Sequence, residues 1–194
     1  MTRTYRQARR GETADETRRR IVQATFQLHG EQGIAATTMK QIAARAGVSV
    51  GSVYHHFPTY DDAINACGAH AFSLAPMPTP AIFDGAETRP ERVRRLAAAM
   101  FSMFAALRGG FGSVIADQGK LPILRRFVAE EQAVRRALAA EALGGSGRDA
   151  ETLAALLDHG AYDAFLRLGF TAQDAADQTA QVANAWLDAQ EETR

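Results

Sequence analysis

The sequence predicts an all-α chain in which a small N-terminal helix-turn-helix unit of three helices precedes a larger helical domain. Apolar residues recur at spacings of three and four along almost the whole chain, and no long alternating run reads as a strand. Three threonine-led capping boxes, Thr13–Glu16, Thr38–Gln41 and Thr59–Asp62, mark closely spaced helix starts in the first third. Pro76, Pro78 and Pro80 then forbid regular helix, because each removes a backbone donor and restricts the residue before it.

Taken in order, the first helix opens at Thr13, places Ile21, Ala24, Thr25 and Leu28 on one face, and ends between Gly30 and Gly33. The second starts at Thr38 and stops at Gly47. Ser49 caps a third that reaches Phe57, and a fourth runs from Thr59 to about Leu74. Beyond the prolines, helices are expected at about 88–108, 121–143, 148–168 and 171–190, with a short one near 112–118. Gly144-Gly145-Ser146-Gly147 links two of them, and with no strand before it the loop lacks the setting of a phosphate cradle. The expected organisation is a flexible basic arm over 1–12, a helix-turn-helix domain over 13–58, a connecting helix over 59–75 and a helical domain over 76–194.

Composition limits the function classes. With 194 residues, 46% hydrophobic and 23% charged, the chain suits a moderate globular domain or a small one leaning on a larger one. No apolar run approaches the roughly 18 to 20 residues a membrane span needs, so a cytoplasmic location without membrane contact is expected. Cys67 is the single cysteine, which excludes an internal disulfide. Net charge is zero but unevenly placed: residues 1–60 hold nine Lys or Arg against four acids, a net of +5, and the remainder carries −5. The first third is built to meet a polyanion.

Residues 39–58 satisfy the demands of two short helices around a tight turn. Ile42, Ala46, Val48, Val53 and Phe57 face one small core, Ala43 is small where the helices cross, and Gly47 stands where the turn needs a left-handed backbone. At the start of the second of these helices, Val50, Gly51 and Ser52 are small enough for the backbone to sit deep in a major groove. Tyr54 and His55 follow, with a phenol and an imidazole in reach of phosphate oxygens.

The stretch TTMKQIAARAGVSVGSVYHHF, residues 37–57, preceded by LHGEQG, resembles the DNA-binding signature of TetR-type transcriptional regulators, and the resemblance covers about residues 14–75. It implies that Thr38, Met39 and Lys40 approach double-stranded DNA from the second helix, and Ser49, Val50, Gly51, Ser52, Tyr54 and His55 from the third. Such regulators usually carry a lysine near the start of the fourth helix; here Tyr60 stands there, still able to donate to phosphate, followed by Asp61 and Asp62. With that positive charge missing, binding leans on an arm carrying Arg3, Arg6, Arg9 and Arg10.

The resemblance also implies a homodimer through the two C-terminal helices and a pocket for an inducer. Leu153, Leu156, Leu157, Gly160, Ala164 and Leu168 form one stripe; Ala172, Ala175, Ala176, Thr179, Val182, Ala183 and Trp186 form another. Each suits a dimer bundle or the chain's own core. Phe72, Met100, Phe101, Met103, Phe104, Leu107, Phe111 and Tyr162 are candidate pocket walls for a hydrophobic or aromatic effector, and equally candidate core.

The expected function is a ligand-responsive DNA-binding regulator, a repressor released from a near-palindromic operator; the alternative is an architectural DNA-binding protein without an effector. No catalytic residue, cofactor or metal site is expected. Cys67 and His70 at i, i+3 make at most half a metal site, and Asp158-His159 lacks a nucleophile.

Overall fold

The computed structural model describes residues 3–107 and 109–192, with side chains from Thr13 onward. The elements in order are α1 (Arg3–Gln32), α2 (Met39–Ala46), α3 (Val50–His56), α4 (Tyr60–Leu74), a 3-10 turn (Pro80–Phe83), α5 (Arg89–Ala106), α6 (Gly110–Asp117), α7 (Pro122–Leu143), α8 (Arg148–Leu156), α9 (His159–Arg167) and α10 (Ala172–Glu192). No strand occurs among the described residues, and no single helix among them is long and apolar enough to cross a membrane.

Two boundaries differ from expectation. α1 begins at Arg3, so the backbone expected to form a separate arm over 1–12 is helical over 3–12, and Met1 and Thr2 lie outside the described residues. Thr13 lies inside the helix, where its carbonyl accepts a hydrogen bond from Thr17 Oγ1 at 2.9 Å. Arg, Gln and Ala before it are good helix formers, and Gly11 costs only about 1 kcal/mol. The helix expected over 148–168 is two: Asp158 ends the first and caps the second, accepting from the Gly160 N–H at 2.7 Å. An Asp followed by His and Gly is a cap signal that the continuous apolar spacing conceals.

Three apolar clusters organise the molecule. Ile21, Leu28, Met39, Ile42, Ala43, Val53 and Phe57 close a small core among α1, α2, α3 and the start of α4. A larger core joins α5, α7, α8, α9 and α10 through Val93, Leu96, Met100, Phe101, Phe104, Leu138, Leu153, Leu157 and Ala183. Between them, Ile34, Ile64, Leu124 and Phe127 form a third, with Phe72 and Val114 packed against it. Within α7, Arg135 Nε meets Glu131 Oε1 at 2.7 Å in a buried ion pair that holds the guanidinium towards the α8–α9 junction. Arg135 also reaches the Ala154 carbonyl and, at 3.1 Å, Asp158 Oδ2. Burial pushes the Glu131 carboxyl up, against the opposing pull of Arg135.

The two C-terminal stripes face mainly inward. Leu153, Leu157, Ala175, Ala176, Thr179 and Ala183 are buried within the chain, and Leu156, Ala172 and Trp186 pack against its core. Gly160 and Ala164 are exposed, as are Leu168 and Val182, at 76% and 58%; Leu166 and Phe170, which belong to neither stripe, join them on the outward surface of α9, the turn after it and α10.

Candidate nucleic-acid interface and effector cavity

The exposed face of α3 is shaped by what its other residues must bury. Val53 and Phe57 fill the small core, at 0% and 2% exposed, which turns Val50, Gly51, Tyr54 and His55 outward. Thr38 caps α2 reciprocally: its Oγ1 accepts from Gln41 N at 3.3 Å, and its own N–H reaches Gln41 Oε1 at 2.8 Å. Gly47, at φ +65°, ends α2 in the left-handed region, where its missing Cβ avoids strain. Two residues on, Ser49 Oγ accepts from Ser52 N at 3.0 Å and opens α3. The cap hydroxyls therefore set the angle of α3, while Lys40, Val50, Gly51, Tyr54 and His55 present free surface.

Two expected contact residues are placed otherwise. Met39 is 7% exposed and belongs to the core of α1–α3. Tyr60 is half-buried, and its hydroxyl donates to the Ile34 carbonyl at 2.6 Å, which removes the donor that phosphate would need. The hydroxyl is the last link of a polar chain. His29 Nε2 lies 2.9 Å from Tyr60 Oη, and His29 Nδ1 lies 3.5 Å from Cys67 Sγ. Because the tyrosine proton goes to Ile34, Nε2 is the donor in its own bond and Nδ1 is left as an acceptor for the thiol. Burial dominates each group: the His29 imidazole falls from 6.5 to about 4, with the Asp117 charge opposing, while the Cys67 thiol rises to about 12 and the Tyr60 phenol is pushed up.

The Ile34 peptide is also held from the other side. Asp117, at the end of α6, accepts from the backbone N–H of Ile34 and of Ala35, each at 2.9 Å, and from Lys120 Nζ at 3.1 Å. The Ala35 N–H leads in holding the Asp117 carboxyl below the usual carboxylate range. Gly33 makes this approach feasible: it adopts φ +87°, and a Cβ there would come 3.1 Å from Asp117 Oδ2. One peptide of the α1–α2 loop is thus gripped by α4 through Tyr60 and by α6 through Asp117.

Ile34 also lines a cavity of about 350 Å³ enclosed by α1, α4, α6 and α7. Phe26, Phe72, Phe111 and Phe127 form its aromatic wall, Ile64, Leu107, Val114 and Leu124 its aliphatic wall, and His29 and Cys67 its inner polar spot. Of the residues expected as pocket walls, Phe72, Leu107 and Phe111 line this cavity. Met100, Phe101, Met103, Phe104 and Tyr162 do not; they are solid core, with Phe101 edge-on to Tyr162 at 5.4 Å and Phe104 5.5 Å from Phe111. The sequence did carry a signal for the wall of this cavity. Ile64, Cys67, Gly68, Ala71 and Phe72 repeat at helical spacing on α4, on a face distinct from Ala63, which serves the small core.

The half metal site is not assembled: Cys67 turns to His29, whereas His70 stands edge-on to Phe26 at 5.5 Å. Asp158 is occupied as a cap and by Arg135, and His159 packs against Phe104 at 5.1 Å.

Comparison with known proteins agrees with this architecture. The family model described as "Bacterial regulatory proteins, tetR family" matches residues 21–67. The N-terminal unit is a TetR-family helix-turn-helix domain. Within it, the regulator SrpR of Pseudomonas putida is 48% identical over 44 residues, 23% of this chain and 21% of SrpR, so the match spans about a fifth of that relative's length. Across 88% of the chain the fold is similar to that of the multidrug binding protein EbrR solved with imidazole, at 26% identity, a TM-score of 0.62 and 89% of EbrR covered. EbrR solved with proflavin aligns over 87% of this chain and 98% of its own, at 24% identity and a TM-score of 0.60. The similarity of fold to these solved structures thus extends past the helix-turn-helix into a helical C-terminal part, and the similar proteins are named as a transcriptional regulator and a multidrug binding protein.

Proposed function

We propose that the chain is a ligand-responsive transcriptional regulator, a repressor that leaves its DNA operator when a small apolar or aromatic molecule enters the α1–α4–α6–α7 cavity. The observation that carries this is the position of Ile34. Its side chain lines the cavity, its N–H is held by Asp117, its carbonyl is held by Tyr60, and its loop leads into the Thr38 cap that starts the helix-turn-helix. An effector that favours a different spacing of α1, α4 and α6 must move this peptide, and with it α2 and α3. Only a ligand with unequal affinity for the two arrangements can do so.

DNA contact falls to Thr38, Lys40, Ser49, Val50, Gly51, Ser52, Tyr54 and His55, with small residues admitting the backbone of α3 to the major groove and the polar ones fixing it on phosphate. Two copies joined through α9 and α10 cover the exposed Leu166, Leu168, Phe170 and Val182 and present two recognition helices about one DNA turn apart, which suits a near-palindromic operator. The test is fluorescence anisotropy of labelled DNA from beside the chain's own gene, with unrelated DNA as control, at several fixed salt concentrations. Tighter binding to the first DNA by a dimer is the expected result. Equal, equally salt-sensitive binding to both contradicts it and favours an architectural role.

A further inference from the structure

We propose that the cavity takes a neutral aromatic molecule carrying a hydroxyl, a phenol, whose O–H donates to His29 Nδ1 in place of the Cys67 thiol. The regulatory meaning of this site rests on the function proposed above, but the ligand chemistry is argued and tested without DNA.

The wall is apolar almost throughout, so the orientation of a ligand is set at its few polar groups. The hydrogen-bond order around His29 leaves one acceptor there. Tyr60 gives its proton to Ile34 at 2.6 Å, Nε2 gives its own to Tyr60 at 2.9 Å, and Nδ1 faces only a thiol at 3.5 Å. A thiol is a weak donor, so a phenolic O–H gains by replacing it, while the rest of the chain keeps its bonds. An imidazole buried in apolar surroundings stays neutral and keeps Nδ1 available as an acceptor.

The described lining residues favour a ligand without charge of either sign. Among the described lining residues Glu31 is the one carboxylate, and both of its oxygens are engaged by Arg45, at 2.8 and 2.7 Å, on the outer surface. Among the described residues no Lys or Arg lines the cavity, so a carboxylate ligand gains no ion pair from them. A volume of about 350 Å³ suits a ligand of one or two rings.

The test is calorimetric titration of the full chain, without DNA, with four probes: 4-propylphenol, its O-methyl ether 4-propylanisole, 4-propylbenzoate and proflavin. The ether keeps shape and oxygen but has no donor. The phenol is expected to bind about five- to tenfold more tightly than the ether, the worth of one net hydrogen bond, with the benzoate and proflavin weaker than both. Cys67→Ala is expected to preserve that ratio, since it frees Nδ1. Cys67→Ser is expected to bring the ratio towards one, since a hydroxyl competes for Nδ1 better than a thiol. Equal affinity for phenol and ether, tighter binding of proflavin or benzoate, no binding of any probe, or loss of the ratio in Cys67→Ala would each overturn the proposal. If the phenol binds as expected and DNA affinity is unmoved by it, the ligand class stands and the regulatory function falls.

Discussion

The core of the C-terminal bundle and the junction between α1, α4, α6 and α7 are both rich in phenylalanine, yet one is solid and the other encloses about 350 Å³. In the bundle, Met100, Phe101 and Phe104 sit on a helix whose buried residues all belong to one cluster, and all three are 0–1% exposed. At the junction, α1 and α4 each serve two clusters: Ile21, Leu28 and Ala63 turn into the small core, while Phe26, Ile64 and Phe72 turn into the cavity. The spacing of α1 and α4 is set by the small core, so the other face cannot collapse to native density. Gly68 and Gly110 leave further room where side chains would stand. The cavity arises here because α1 and α4 each serve two clusters, and for the same reason it lies beside the helix-turn-helix.

The largest predicted effect tests solidity. Phe101→Ala should cost about 3–5 kcal/mol in denaturant unfolding, whereas Phe26→Ala on the cavity wall should cost about 1–2 kcal/mol because the void is already present. Equal costs at the two positions would erase the distinction.

The next effect sharpens the junction through pH. His29 is buried neutral, its value lowered from 6.5 to about 4, so the unfolded chain binds the proton more readily. Its contribution is complete above pH 6.5 and is lost as pH falls towards 4, by about 3 kcal/mol in all. His56 and His159, also lowered mainly by burial, act in the same direction. Unfolding stability should therefore fall between pH 6.5 and 5, before most carboxylates titrate, and a flat profile there would contradict a neutral imidazole at the cavity.

A third effect concerns the DNA-facing side alone. Removing residues 1–10 deletes Arg3, Arg6, Arg9 and Arg10 and should lower the slope of log affinity against log salt by up to about 3.6 per copy. An unchanged slope would show that these arginines do not neutralise phosphate.

The smallest effect should be confined to the cavity. A Cβ on Gly68 would lie 2.9 Å from Phe127 Cε1 and 3.0 Å from Cζ, so Gly68→Ala drives that ring into the space. Affinity for 4-propylphenol should drop about tenfold with DNA affinity within about twofold of the parent. A change in DNA affinity of equal size would mean that the cavity wall and the DNA-reading surface are not separable.

The same contrast explains what the sequence disclosed. The helix-turn-helix was readable because each of its residues obeys one local rule: Thr38 and Ser49 cap, Gly47 turns, Val53 and Phe57 bury, and Val50 and Gly51 remain small. Helix limits from α2 to α7 and for α10 lie within two residues of those expected for similar reasons. The cavity was less readable because its wall comes from four helices, each contributing a secondary face. The dense Met100–Phe104 stretch drew attention to the place where packing is complete. Tyr60 was misplaced because its position in the chain suggests an exposed helix start, while its partner Ile34 lies 26 residues earlier. Asp117 carried no sequence signal: its role depends on two backbone N–H groups more than 80 residues away.

On the function proposed, the cavity and the helices α2 and α3 are one device joined at the Ile34 peptide. This coupling is tested most directly by measuring how far saturating 4-propylphenol lowers affinity for labelled DNA from beside the chain's own gene, in the parent and in Asp117→Asn. The account predicts a drop of about tenfold or more in the parent, shrinking to less than about threefold in the variant, with affinity for the phenol itself little changed. An equal drop in both would contradict it, because the effector would then reach the DNA-binding helices without the Asp117 grip on Ile34 and Ala35.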